Sequence, residues 1–330
     1  MTRALVFGKF LPLHRGHLAL IDFARRHCHQ LTVLVCASDL EQVPGAVRAG
    51  WLRDTYAACP EVHVQVLDYR ESDLPNTSVS SEAVAHAWAD RFRQVLPDIN
   101  LVVTSEPYGE MVAARLGIRF LDFDLGRTQE PISATAIRAD MRVHWPYLPS
   151  SVQAYYRRTV AILGTESTGK STLTQQLAAH FGASYVAEAA RDLIPNSAEI
   201  CRADLLTVAA EHARRIAEAR ATAGPLLLLD TDVHITQSYA RLLGEDYLEL
   251  PAALYATNRA DLYLYLQADV PLVEDGTRLP AAERLQVDAL HRQTLAHFGV
   301  RYHEIGGMWA ARFAQAVHLI ELLLQQAATA

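Results

Sequence analysis

The chain has 330 residues, half of them apolar and a fifth charged, the profile of a soluble globular protein long enough for two domains. Its net charge of −7 supplies no general basic footprint for nucleic acid, and no apolar run reaches the length of a membrane span. The four cysteines form no CxxC pair and no secretory signal is read at the N-terminus, so reduced thiols and a cytoplasmic location are expected.

Ala4–Gly8 reads as an apolar strand, and Leu18–Arg26 as a helix with Leu18, Ile21 and Phe23 on its inner face. His27-Cys28-His29 reads as a helix end, because adjacent residues on a helix point in different directions and cannot share one ion. Leu31–Ala37 is a second buried strand and Arg48–Cys59 a helix. Val62, Val64 and Val66 alternate with polar residues at the period of a strand. Val79–Val95 is expected to be helical, Leu101–Ser105 a strand, Glu110–Leu116 a helix and Arg119–Asp124 a strand. The prolines of Val143–Ser151 interrupt regular structure, which places a domain boundary near residue 150. The pattern then restarts: strand Thr159–Gly164, helix Lys170–Phe181, strand Tyr185–Glu188, helix Arg202–Ala221, strands Leu226–Asp230, Leu262–Gln267 and Tyr302–Ile305, and helix Trp309–Gln326. Strands alternating with helices in both halves predict an α/β protein of two doubly wound parallel-sheet domains, residues 1–150 and 151–330.

Two segments carry chemistry, and each joins a strand to a helix. The first is Gly8-Lys9-Phe10-Leu11-Pro12-Leu13-His14-Arg15-Gly16-His17. A helix N-terminus offers N–H donors and positive potential to a phosphate. Gly8 is expected to allow a tight turn, and Gly16 to let the backbone approach a ligand. His14 and His17, three residues apart at the helix entrance, can face one side. The second is Gly164-Thr165-Glu166-Ser167-Thr168-Gly169-Lys170-Ser171, a complete GxxxxGK[ST]. Its backbone N–H groups are expected to cradle phosphates, with Lys170 on the β- and γ-phosphates, Ser171 on Mg²⁺ and Thr172 in the first helical turn. Leu226–Asp230 fits the partner strand, whose terminal Asp230 would reach the Mg²⁺ shell. Glu188 ends the intervening strand with Arg191 one turn on. It is offered as the group that orients an acceptor hydroxyl, with Asp232 as the rival. Glu274-Asp275-Gly276-Thr277-Arg278 is read as a lid loop that carries Arg278 over a γ-phosphate.

The first segment resembles the mark GxFxPxHxGH of the nucleotidyltransferase superfamily, and Ile132-Ser133-Ala134-Thr135-Ala136-Ile137-Arg138 resembles its second motif. That resemblance implies attack of a phosphate oxygen on the α-phosphate of a nucleoside triphosphate. His14 and His17 would meet the phosphates. Arg138, Ser133, Thr135, Lys9, Gly8, Phe10 and Gly16 would hold the triphosphate.

Taken together, the chain resembles the NadR-type family, in which a nicotinamide-mononucleotide adenylyltransferase precedes a ribosylnicotinamide kinase. Ser105-Glu106-Pro107, Asp230-Thr231-Asp232 and Asp275-Gly276 with Arg278 are similar to further elements of that family. The resemblance implies ATP, nicotinamide riboside and nicotinamide mononucleotide as ligands, Mg²⁺ as cofactor and NAD as product. It also implies that Arg48 and Trp51 sit at the nicotinamide nucleotide, with half-buried packing as the other reading of Trp51. Some members carry an N-terminal helix-turn-helix. Here Leu5 already belongs to a strand, so no DNA-binding role is expected. Where some relatives flank the kinase Glu with aromatic residues, this chain has Ala187 and Ala189; either Tyr185 or Tyr239 substitutes, or the pocket differs. The alternatives are a related enzyme pair with another acceptor, or an NAD-sensing protein with residual activity. Patterning leaves a homo-oligomer open.

Overall fold

The computed structural model describes residues 1–330 apart from 75–80, 125, 127, 129, 195–199, 270–280 and 330. The chain divides into two compact units, one built on Met1–Tyr155 and one on Tyr156–Ala328.

The first unit runs β1 (Arg3–Gly8), α1 (Arg15–Arg25), β2 (Gln30–Ser38), α2 (Gly45–Thr55), β3 (Val62–Tyr69), α3 (Glu82–Val95), β4 (Leu101–Thr104), α4 (Tyr108–Leu116), β5 (Arg119–Asp122) and α5 (Ala134–Ala139). A 3-10 turn at Trp145–Tyr147 leads into α6 (Ser150–Tyr156). The strands form one parallel sheet in the order β3-β2-β1-β4-β5. Alternate side chains serve opposite faces. Leu5 and Phe7 of β1, Leu34 and Cys36 of β2, and Val102 of β4 pack with Trp88 and Phe92 of α3 and Val112 of α4. The intervening Ala4, Val6, Val33 and Val35 are buried as well, so these strands read as continuous apolar runs. From β1 the sheet grows first toward β2 and then, after a crossover, toward β4. The loop after β1 therefore opens at a topological switch point.

Several element starts differ from the sequence reading by one to three residues, among them α1, which begins at Arg15 ahead of the expected Leu18. Helix α2 begins at Gly45, ahead of the expected Arg48, because Pro44 at φ −56° is already set for a helix start. Helix α3 begins at Glu82, where Ser81 Oγ accepts from Val84 N at 3.3 Å; the expected start at Val79 lies outside the described residues. The proline-rich stretch also holds more structure than expected, since the Pro149 carbonyl receives the first turn of α6 from Val152 N and Gln153 N.

The second unit runs β6 (Arg158–Gly164), α7 (Lys170–Phe181), β7 (Ser184–Val186), α8 (Ala190–Leu193), α9 (Arg202–Thr222), β8 (Leu226–Asp230), α10 (Val233–Leu242), α11 (Ala252–Asn258), β9 (Leu262–Leu266), α12 (Ala281–His297), β10 (His303–Ile305) and α13 (Trp309–Thr329). Its sheet is also parallel, in the order β10-β9-β6-β8-β7. Val160, Ile162, Leu226, Leu228, Leu262, Leu264 and Leu266 feed one face, with α7 and α13. Ala161, Leu163, Leu227, Leu229 and Tyr265 feed the other. Helices α8, α10, α11 and α12 escaped the sequence reading. Helix α10 buries the polar residues His234, Thr236, Gln237 and Ser238 beside Val233 and Ile235. Among the described residues no helix is long and apolar enough to cross a membrane.

Two candidate nucleotide sites

The first site is built where β1 ends. Phe10 takes φ 50°, and the chain turns there rather than at Gly8, whose backbone needs no left-handed conformation. The Phe10 ring is buried and meets the His17 imidazole edge-on at 5.0 Å. Phe10 thus supports the site from below.

His14 is the N-cap of α1, and its Nδ1 accepts from Gly16 N at 3.1 Å. A neutral ring that accepts through Nδ1 carries its proton on Nε2, so His14 presents an N–H donor. The His14 and His17 rings stack with centroids 3.8 Å apart. A Cβ at Gly16 would lie 3.0 Å from His14 Cε1 and 3.2 Å from Nδ1, so glycine here makes room for the imidazole.

The second motif closes on the first. Ser133 caps α5 by accepting from Ala136 N at 3.1 Å. That fixes the register of Arg138, which donates to Leu11 O and, at 3.2 Å, to Thr135 Oγ1. Arg138 and Thr135 remain exposed.

Lys9, Glu41 and Arg48 form a charge cluster under the same loop. Glu41 meets Lys9 Nζ at 2.9 Å and Arg48 Nη2 at 2.6 Å. Arg48 Nη1 donates to Lys9 O at 2.7 Å and to Cys36 O at 3.4 Å. Arg48 is 0% exposed. Its guanidinium braces the loop through these contacts. Trp51 is 4% exposed and packs edge-on against Tyr155 at 5.4 Å, which is the packing reading of that residue. Glu41 escaped the sequence reading because it lies in a loop with no periodic pattern.

The second site opens where β6 ends. Gly164 has φ 141°, Ser167 φ 60° and Gly169 φ 85°. Such left-handed positions in a tight loop turn backbone N–H groups toward one concavity. Thr168 Oγ1 donates to Thr165 O at 2.8 Å, and Lys170 Nζ donates to the same carbonyl at 3.1 Å. Thr165, Thr168 and Lys170 are buried, whereas Thr172 is exposed on the first turn of α7. Glu166 accepts from Tyr239 OH at 3.3 Å.

Ser171 Oγ donates to Asp230 Oδ2. Asp230 is buried, and burial holds its carboxyl above the usual carboxylate range against the pull of Lys170 and Ser171. Its Oδ1 is buried without a hydrogen-bond partner. A hydroxyl beside a carboxylate with an uncommitted oxygen suits Mg²⁺, which binds few protein oxygens and keeps waters and phosphate oxygens.

Asp232 has other work. It is 0% exposed; Oδ1 accepts from His234 N at 3.0 Å and Ile235 N at 3.3 Å, and Oδ2 meets His234 Nδ1 at 2.5 Å. It caps α10. Glu188 lies two residues past β7 and pairs with Arg191 Nε at 3.1 Å. Tyr239 is tied to Glu166, and Tyr185 is 43% exposed. Arg278 lies outside the described residues.

Arg312 also escaped the sequence reading. It is 1% exposed and donates to Thr168 O at 2.8 Å, Gly307 O at 2.8 Å and Gln267 O at 2.9 Å, and it pairs with Asp269. It ties the P-loop to the ends of β9 and β10. Only its i+3 spacing from Trp309 hinted at a shared task.

Residues 5–140 match the cytidylyltransferase-like family, and residues 159–312 match an AAA domain family. The trifunctional NAD biosynthesis/regulator protein NadR of Escherichia coli (strain K12) is 27% identical over an alignment of 351 positions, covering 98% of this chain and 83% of that protein. The NadR of Salmonella typhimurium is also 27% identical, with coverages of 97% and 83%.

The chain is a NadR-like protein.

The solved structures of a NadR protein in complex with NR, and with NAD and AMP-PNP, share the NadR-like fold. Each has a TM-score of 0.61 and 22% identity over 97% of this chain and 95% of that one. In this NadR-like chain the cytidylyltransferase-like domain holds the His14–His17 pair and the P-loop domain holds Lys170, Ser171 and Asp230.

Proposed function

We propose that the chain makes NAD in two steps. A kinase activity in residues 151–330 phosphorylates nicotinamide riboside with ATP. A transferase activity in residues 1–150 then joins the product, nicotinamide mononucleotide, to the AMP part of a second ATP. The observation that supports this reading is that one chain carries two groups of side chains suited to phosphate: His14 stacked on His17 at 3.8 Å with Arg138 closed over their loop, and Lys170 with the Ser171–Asp230 pair. The 27% identity to NadR proteins along nearly the whole chain supports the choice of nicotinamide substrates.

In the transferase step a phosphate oxygen of the mononucleotide attacks the α-phosphorus of ATP, and pyrophosphate leaves. No enzyme nucleophile is needed, so catalysis rests on alignment and on donors aimed at the charge that develops. His14 Nε2–H, His17 and the α1 N-terminus meet the phosphates, and Arg138 adds a fixed cation. Arg48 and Glu41 set the loop that presents Lys9.

In the kinase step the P-loop N–H groups and Lys170 hold the β- and γ-phosphates, and Glu188 orients the acceptor hydroxyl. Ser171 and Asp230 would hold Mg²⁺, which would supply positive charge to the phosphates.

The test is product analysis. Nicotinamide riboside, ATP and Mg²⁺ should yield the mononucleotide and then NAD. His17→Ala should stop the second step and spare the first, and Lys170→Ala the reverse. Absence of both products from the wild-type protein would refute the proposal. A clear preference for another phosphorylated acceptor would refute the substrate assignment alone.

A further inference from the structure

Trp309 opens α13 beside Gly169 of the P-loop. Three tryptophans are buried, Trp51 at 4%, Trp88 at 0% and Trp145 at 7%, but Trp309 is 51% exposed. Its ring nonetheless lies against the P-loop. A Cβ built at Gly169 would be 2.3 Å from Trp309 Cζ3 and 2.7 Å from Cη2. The ring is also held from behind, because the Arg312 guanidinium, itself pinned to Thr168 O and Gly307 O, lies 5.4 Å from the ring centroid. Gly307 N donates to Asp269 Oδ2 at 2.6 Å, which fixes the loop that delivers Trp309. A large aromatic surface is thus fixed in place and left open to solvent beside the phosphate loop.

Topology gives that surface its direction. The P-loop follows β6, at the centre of the sheet. Asp230 ends β8, and Glu188 follows β7, both on one side of β6. Phosphoryl transfer needs the γ-phosphorus in line between the incoming hydroxyl and the leaving oxygen. With the γ-end aimed at Asp230 and Glu188, the nucleoside end must trail to the other side of β6. That side carries β9 and β10, and Trp309 opens the helix that follows β10.

We propose that the exposed part of the Trp309 indole is the stacking platform for the base of the nucleoside triphosphate that donates phosphate at the P-loop. The inference rests on the kinase reading of this unit. Every base has a π-face, so an aromatic platform accepts all of them, and the larger purines gain most contact. Because the ring is already fixed, little side-chain freedom is lost on binding.

The experiment uses the full chain with Trp309→Ala and Trp309→Phe. Loss of a base–aromatic stack should raise the kinase KM for ATP about tenfold in the alanine variant, with kcat little changed, and phenylalanine should restore most of the loss. Inorganic triphosphate, a competitor that has no base, should inhibit wild type and both variants equally. The intrinsic fluorescence of the exposed indole should be quenched by ATP in the wild type and not by inorganic triphosphate.

An unchanged KM for ATP in Trp309→Ala would overturn the proposal. So would equal weakening of ATP and inorganic triphosphate, because that would make Trp309 a prop for the loop. If the wild type lacks kinase turnover and Lys170→Ala alters nothing, the kinase reading falls and takes the platform with it. Kinase activity lost in Lys170→Ala but indifferent to Trp309→Ala removes the platform alone.

Discussion

Replacing Arg48 with methionine separates a brace from a substrate contact. Methionine keeps much of the buried stem but removes the donors to Lys9 O at 2.7 Å and Cys36 O at 3.4 Å and the cation facing Glu41 at 2.6 Å. Stranding one partner of a buried ion pair costs about 3–5 kcal/mol. Glu41 is not fully stranded, because Lys9 Nζ stays 2.9 Å away on a side chain that is 27% exposed. The lower end, about 3 kcal/mol, is therefore expected. In a unit of this size that corresponds to a loss of about 6–12 °C in its Tm. Differential scanning calorimetry is the assay, with the P-loop unit's transition as internal reference. Removing both charges, in the double variant Glu41→Leu with Arg48→Met, should recover part of the loss, since no buried carboxylate is left facing the gap. A Tm within about 2 °C of wild type in Arg48→Met, together with a raised KM for nicotinamide mononucleotide, would refute the bracing role and return Arg48 to the substrate.

Two further outcomes follow from the same geometry. In Gly16→Ala the new methyl would press on His14 at 3.0 Å, so adenylyl transfer should fall on the order of 100-fold while riboside phosphorylation continues. Steady-state kinetics of the two half-reactions checks this, and an equal fall in both would contradict it. Asp230→Asn should abolish kinase turnover and yet stabilise the protein at neutral pH. Burial raises the Asp230 carboxyl pKa in the folded state, so the folded chain binds this proton more tightly than the unfolded chain does. The charged form thus subtracts stability above the raised folded pKa, and the penalty fades as pH falls from there to the unfolded value. The Tm advantage of Asp230→Asn should be largest at neutral pH and shrink toward about pH 4. Thermal melts across that range would contradict the idea if the advantage grew on acidification.

Much of the fold was legible because parallel strands covered on both faces leave apolar runs such as Leu226–Leu229, and because glycine-rich turns punctuate them. The two motif loops were legible for a local reason: their residues lie within a few positions of one another, as with His14, Gly16 and His17. What escaped depends on distant closure. Arg312 reaches Thr168 across 144 positions, and Arg48 finds Glu41 only once the loop after β2 has folded back. Asp232 shows the same limit. A carboxylate after a strand suits a phosphate site, but the same residue type is also a good N-cap, and its bonds to His234 N and Ile235 N form only once α10 is in place.

Arg312 ties the phosphate loop to a helix translated some 140 residues later. During synthesis on a ribosome, β6 and α7 emerge long before the side chain that anchors their turn. The P-loop should therefore settle late, after α13 has docked, and the turn holding His14 and His17 waits in the same way for Arg138, which reaches Leu11 O across 127 positions.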